Sequence, residues 1–207
     1  MGLFDIFKRR QPIRDAAALA DFIDQNAAFL VQKGFYEYSR ARAGHYAKVL
    51  FKEQSFRDAI ELSRWQAYPL GLALVAELVE GVLRPYADAQ RQQQTDALTA
   101  LVVSVFDRYP VPAALGAMAW SAARADLVQR LQLLGLHGVK RAIDIPEQHV
   151  RTYFDLMPIH EKLRSAEFPT IRNYLRVSMA NIHQELTKRL DAAAAAQSLR
   201  TRQVAAD

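Results

Sequence analysis

Residues 35–52 gather the side chains best suited to chemistry. Placed at 100° per residue, Phe35, Tyr36, Tyr38, Ala43, Tyr46, Val49 and Leu50 form one broad apolar arc. Arg42 falls inside that arc. Tyr38 and Tyr46 stand four residues either side of it, and Ser39 and His45 three either side. An arginine keeps its charge, so burying one demands an anion. The helix expected over residues 70–84 is apolar nearly all round, save a stripe of Glu77, Glu80 and Arg84. Glu80 and Arg84 are four apart and can pair with each other. That leaves Glu77 for Arg42. Two readings stand open. In one, Arg42 and Glu77 form a salt bridge between core helices, dressed by tyrosine hydroxyls. In the other, Arg42 faces a cavity and holds a ligand carboxylate or phosphate. Tyr38, Tyr46, His45 and Ser39 would then surround the ligand, with Glu77 alongside.

Other chemistries lack their residues. The chain has no cysteine, which excludes disulfides, thiol nucleophiles and cysteine metal sites. A di-iron bundle needs Glu-x-x-His motifs, and the sequence contains none. No metal and no cofactor is expected. No nucleophile elbow, glycine-rich phosphate loop, dinucleotide fingerprint or His-Glu-x-x-His motif occurs. The basic stretches alternate with tyrosine and alanine on a face that reads as buried, which argues against nucleic acid. A second basic stripe, Arg172, Arg176 and His183, borders the apolar face of the last long helix. Its stems can cover the core edge while the heads reach water. A functional version would bind an acidic partner or a phospholipid headgroup. Residues 1–10 place Leu3, Phe4, Ile6 and Phe7 ahead of Lys8, Arg9 and Arg10. Such a segment can lie in a membrane interface, each cation contributing about 1 kcal/mol near an anionic leaflet.

Three stretches carry a resemblance: Tyr36-Glu-Tyr-Ser-Arg-Ala-Arg-Ala-Gly-His-Tyr, Ser63-Arg-Trp-Gln-Ala-Tyr-Pro-Leu-Gly and Phe154-Asp-Leu-Met-Pro-Ile-His-Glu-Lys-Leu. Together they resemble an uncharacterised family of bacterial all-helical proteins, some of which bear the label "esterase". The resemblance implies an all-helical fold and names a hydrolase as one reading. It supplies no catalytic residues. The usual esterase architecture seats its serine on a strand-to-helix turn of an α/β sheet, and no such sheet is legible here. Ser39 and His45 are the nearest serine–histidine pairing. On one continuous helix they would stand about 9 Å apart along the axis, too far for a direct nucleophile–base hydrogen bond.

The elements that must position these residues are helical. Asp15 can cap a helix with Leu19, Phe22, Ile23, Phe29 and Leu30 on one face, and Gly34 reads as its terminator. Pro69 is expected to divide two helices. Leu98, Leu101, Val102, Val105 and Phe106 make a helical stripe rather than a strand. An alanine-rich helix from about Pro112 to Leu134 reads as buried, or as a face for a second copy. A long helix is expected from Pro169, with Ile171, Leu175, Met179, Ile182 and Leu186 on one side. The 207 residues, 51% hydrophobic and 24% charged, fit an ordinary globular chain. The net charge of +5 is concentrated toward both ends. The longest uncharged stretch, residues 109–123, is shorter than the roughly 20 residues a membrane span needs. The fold expected is an all-α bundle of about seven to nine helices. Residues 1–10 form an interfacial segment, 15–190 one helical domain, and 191–207 a frayed tail. The function expected is a non-catalytic interaction or adaptor protein, with an unknown protein partner and no nucleic acid. It would be cytoplasmic, with residues 1–10 lying on the inner membrane surface. The alternatives are a helical binding protein for a small anionic or amphipathic ligand, and the hydrolase.

Overall fold

A computed structural model describes residues 11–159 and 161–204; Lys8, Arg9 and Arg10 lie outside them. Among the described residues the chain forms helices, turns and one isolated β-bridge, with no strand. The fold is an all-α multi-helix bundle. α1 spans Ala16–Gln32 and starts where expected. Asp15 is extended, and its carboxylate accepts the Ala18 N–H at 2.8 Å. Its stripe of Leu19, Phe22, Ile23, Ala27 and Leu30 is fully buried, whereas Phe29 turns outward beneath the Lys33 ammonium. After α1 come a π-helical turn, Lys33–Glu37, then α2, Tyr38–Ala43, and α3, Ala47–Leu50.

α4, Gln54–Leu83, is the axis of the molecule, packing against α1, α5, α6, α8 and α9. Pro69 lies within it and does not divide it. A proline costs an internal helix one N–H donor. Here Tyr68 and Pro69 are buried and α4 runs through, held by packing on every side. By length and composition the stretch Gln54–Tyr86 could cross a membrane, but 78% of its apolar window is buried in the bundle. α5, Arg91–Phe106, buries the expected stripe Leu98, Leu101, Val102, Val105 and Phe106.

α6, Ala117–Gln132, departs from expectation. It buries only Trp120, Leu127 and Leu131, and its alanines face largely outward. Small residues permit close contact but do not compel it. The apolar area of an alanine is too small to draw a helix inward when three larger side chains already form a seam. The short α7, Val150–Asp155, leads to α8, Glu161–Arg189, whose Ile171, Leu175, Met179, Ile182 and Leu186 are all buried. Pro169 lies inside α8 rather than at its start.

The tail also departs from expectation. α9, Ala192–Val204, buries Ala195, Ala196 and Leu199 against α5 and α1. Its entry is fixed by backbone. The Ile13 N–H donates to the Arg189 carbonyl, and the Asp191 N–H donates to the Ile13 carbonyl, each at 2.9 Å. The Ala16 N–H donates to Ser198 Oγ at 3.0 Å, so the two ends of the described chain are tied together.

Candidate functional site

The segment expected as one helix over 35–52 is an arm with a bend. Gly34 does not terminate α1. It passes under Tyr153, and a Cβ there would fall on the Tyr153 hydroxyl. Tyr153 and Tyr174 both donate to the Leu30 carbonyl, at 2.7 and 2.9 Å. Beyond the π turn, α2 runs to Gly44, whose φ of +52° is a conformation that suits glycine. The chain reverses there, and α3 returns toward α4. A ladder of ring contacts closes the arm at its base: Tyr36 to Phe51 at 4.9 Å and Phe51 to Phe56 at 5.1 Å.

The bend separates the expected cluster. Tyr38, Ser39 and Arg42 stay together on α2. His45 and Tyr46 lie past Gly44 in solvent, Tyr46 with 79% of its surface exposed. A continuous helix would have returned them to the same face; the positive φ at Gly44 rotates them away. Arg42 is correspondingly half exposed, at 52% of its side chain.

Its anion is Glu167 of α8, not Glu77. The Arg42 guanidinium contacts the Glu167 carboxylate, whose side chain is only 6% exposed. The Tyr38 hydroxyl is buried beside them, without a well-aligned hydrogen bond to a described residue. Burial and the Glu167 carboxylate push that hydroxyl far above the ordinary tyrosine range, with Arg42 opposing. Tyr38 is therefore a neutral O–H at any working pH. Glu77 serves a different contact: it takes Lys140 at 2.8 Å and lies 3.5 Å from His137. The expected Glu80–Arg84 pair is present, bidentate at 2.8 and 2.6 Å and largely buried, with Arg84 also donating to the His137 carbonyl.

Tyr38, Ser39 and Arg42 form the polar wall of a groove of about 530 Å³. Its other walls are Ala43, Leu50, Phe56, Pro158 and Ile159, all apolar. The volume lies in the range of about 300–1,000 Å³ found for small-molecule sites. The sequence pattern already groups the polar wall with Ala43 and Leu50, but not with Phe56, Pro158, Ile159 or Glu167. Glu167, Pro158 and Ile159 lie more than a hundred residues away, and no local spacing connects them to Arg42.

The second basic stripe is a structural clamp. Arg172 and Arg176 both bind Glu147, at 2.9 and 2.6 Å, tying α8 to the 3₁₀ turn Ile145–Gln148. Those heads are engaged, and His183 stands apart, exposed. A second groove, of about 510 Å³ between α1 and α8, is richer in amides. Gln25, Asn173 and Asn181 line it, with Phe29 and Val177 exposed among them.

Among the described residues no set of three or more metal-ligating side chains converges. Ser39 and His45 lie on opposite sides of the Gly44 bend, one in the groove wall and one in solvent. Comparison of the chain with protein-family models, curated proteins and solved structures gave no match.

Proposed function

We propose that the chain is a non-catalytic binding protein whose groove at Arg42 takes a small amphipathic anion, acyl chain inward and acidic head on the guanidinium. One observation carries this reading. Arg42 is the charged residue lining a mostly apolar groove, and its pairing with Glu167 leaves half the side chain in the open. A guanidinium has five N–H donors and can bridge two anions. Ser39 adds a hydroxyl, and Tyr38 lines the same wall. Leu50, Phe56 and Ile159 give a chain somewhere to bury its methylenes, at about 0.8 kcal/mol each.

The test is a calorimetric titration of the full chain with dodecanoate and with dodecyltrimethylammonium, both below their micelle concentrations. The anion should bind saturably at one site and the cation at least tenfold more weakly. The informative variant is Arg42→Gln/Glu167→Gln, which removes the head's partner without stranding a buried carboxylate. It should remain folded and lose dodecanoate. Equal binding of the two surfactants, or unchanged binding by the double variant, contradicts the reading.

The second reading, as an interaction or adaptor protein, rests on the amide-lined groove between α1 and α8. Two exposed apolar side chains flanked by carboxamides suit a protein segment that brings both backbone and apolar groups. It predicts that Phe29→Asp impairs a partner and leaves dodecanoate binding intact. A cytoplasmic location belongs with both readings as a proposal.

A further inference from the structure

The arm has a second face that the groove does not use. α2 and α3 pack chiefly on one another and on the adjoining turns, α2 meeting a long helix through the Arg42–Glu167 pair. At the tip, one helical turn past Gly44, Tyr46 and Val49 point into solvent, 79% and 60% exposed. They are three residues apart and so share a side of the helix. The same arm carries Arg40, Lys48 and Lys52, all exposed and none with a carboxylate partner among the described residues; Arg40 and Lys48 line one groove with Gly44. Over residues 33–52 there are five lysines and arginines and one carboxylate, Glu37.

From this arrangement we infer that the tip of the arm is an interfacial membrane contact, with Tyr46 and Val49 entering the headgroup layer of an anionic bilayer and Arg40, Lys48 and Lys52 bound to its phosphates. Charge complementarity selects the lipid. Exposed cations on an arm with a small apolar tip match a surface that is anionic outside and apolar beneath. Tyrosine suits this boundary, being an apolar ring with a polar end. A tip of two side chains also enters a bilayer without needing the matched pocket that a protein partner would have to supply. None of these five residues lines the Arg42 groove. This inference and the proposed ligand site therefore stand or fall separately.

The experiment is flotation of the full chain with phosphatidylcholine vesicles, with and without 30% phosphatidylglycerol. The wild type should float with the anionic vesicles alone, and less as salt rises. Lys48→Gln and Arg40→Gln should each weaken binding about fivefold, the loss of one cation near an anionic surface. The pair Tyr46→Asp/Val49→Asp should reduce the floated fraction at least tenfold. Its positions are exposed, so its circular dichroism and Tm should match the wild type. A control carries Phe4→Asp/Phe7→Asp in the N-terminal segment, outside the described residues. Three results overturn the inference. They are no flotation of the wild type, flotation that the tip variants leave unchanged, and tip-dependent binding to polyglutamate in place of vesicles, which would assign the face to an acidic protein.

Discussion

Glu167 is almost fully enclosed, and its neutralising charge comes from Arg42, which remains half in water. That asymmetry decides what mutation does. Arg42→Gln leaves a carboxylate buried without a cation and should cost about 1–3 kcal/mol, the penalty of an unsatisfied buried group. Glu167→Gln added to it should recover most of that loss, which urea denaturation of the wild type and the two variants checks. If Arg42→Gln alone is neutral, the pair contributes nothing to the fold. His149 supplies the pH dependence. Burial first, and the nearby Arg130 second, depress its pKa below the ordinary histidine value. The unfolded chain then takes up a proton that the folded chain refuses. Stability should fall as pH drops through and below about 6.5, by up to about 1.4 kcal/mol per pH unit while the difference lasts. His149→Gln should flatten Tm between pH 7 and 5; a variant that keeps the wild-type slope assigns the acid loss to other groups. Arg42 was legible as a residue needing an anion, because its charge is permanent and its register apolar. Glu167 was not, because pairing across 125 positions leaves no periodic trace.

At the scale of elements, the π turn and the Gly44 bend make the arm, and Tyr153 holds its root. Gly34→Ala should destabilise by about 1–3 kcal/mol, the usual range for overpacking, because the added methyl meets a hydroxyl fixed on the Leu30 carbonyl. Gly34→Ala/Tyr153→Phe should regain much of it, since Tyr174 still serves that carbonyl. Equal loss in the single and double variants would place the cost in the π backbone instead. α9 gives a second case. Leu199→Ala should cost about 2–5 kcal/mol, as for a buried leucine, with an unchanged denaturant m-value. A frayed tail would show less than about 0.5 kcal/mol. Long amphipathic helices such as α5 and α8 were readable because their buried stripes repeat every three to four residues. The tail was not: its apolar content is mostly alanine, which gives almost no pattern contrast, and its docking depends on the Ile13 bridge. Gly34 reads as a helix terminator in sequence, and its other use, close approach of a side chain from α7, is visible only in three dimensions. Pro69 misleads in the same way, because the packing around it offsets the local cost of a proline; Pro169 also lies inside its helix, on an exposed face.

The whole molecule is a bundle wrapped on α4, with its ends fastened at Ile13 and Ser198 and an arm leaving at Gly34. The fold class was legible because nearly every apolar run has helical period. The functional surface was half legible: its polar wall lies on one short helix with Ala43, Leu50 and Phe56 close behind in sequence, whereas Pro158 and Ile159 come from a distant segment between α7 and α8. The central claim is that the groove beside Arg42 holds an anionic amphipath. Its most direct test is chemical-shift mapping of the labelled full chain during titration with dodecanoate. The Arg42 Nε–H signal and the methyl signals of Leu50 and Ile159 should move together on one saturating curve, while Phe29 and Val177 stay still. Movement centred on Phe29 and Val177, or scattered movement that does not saturate, would contradict it.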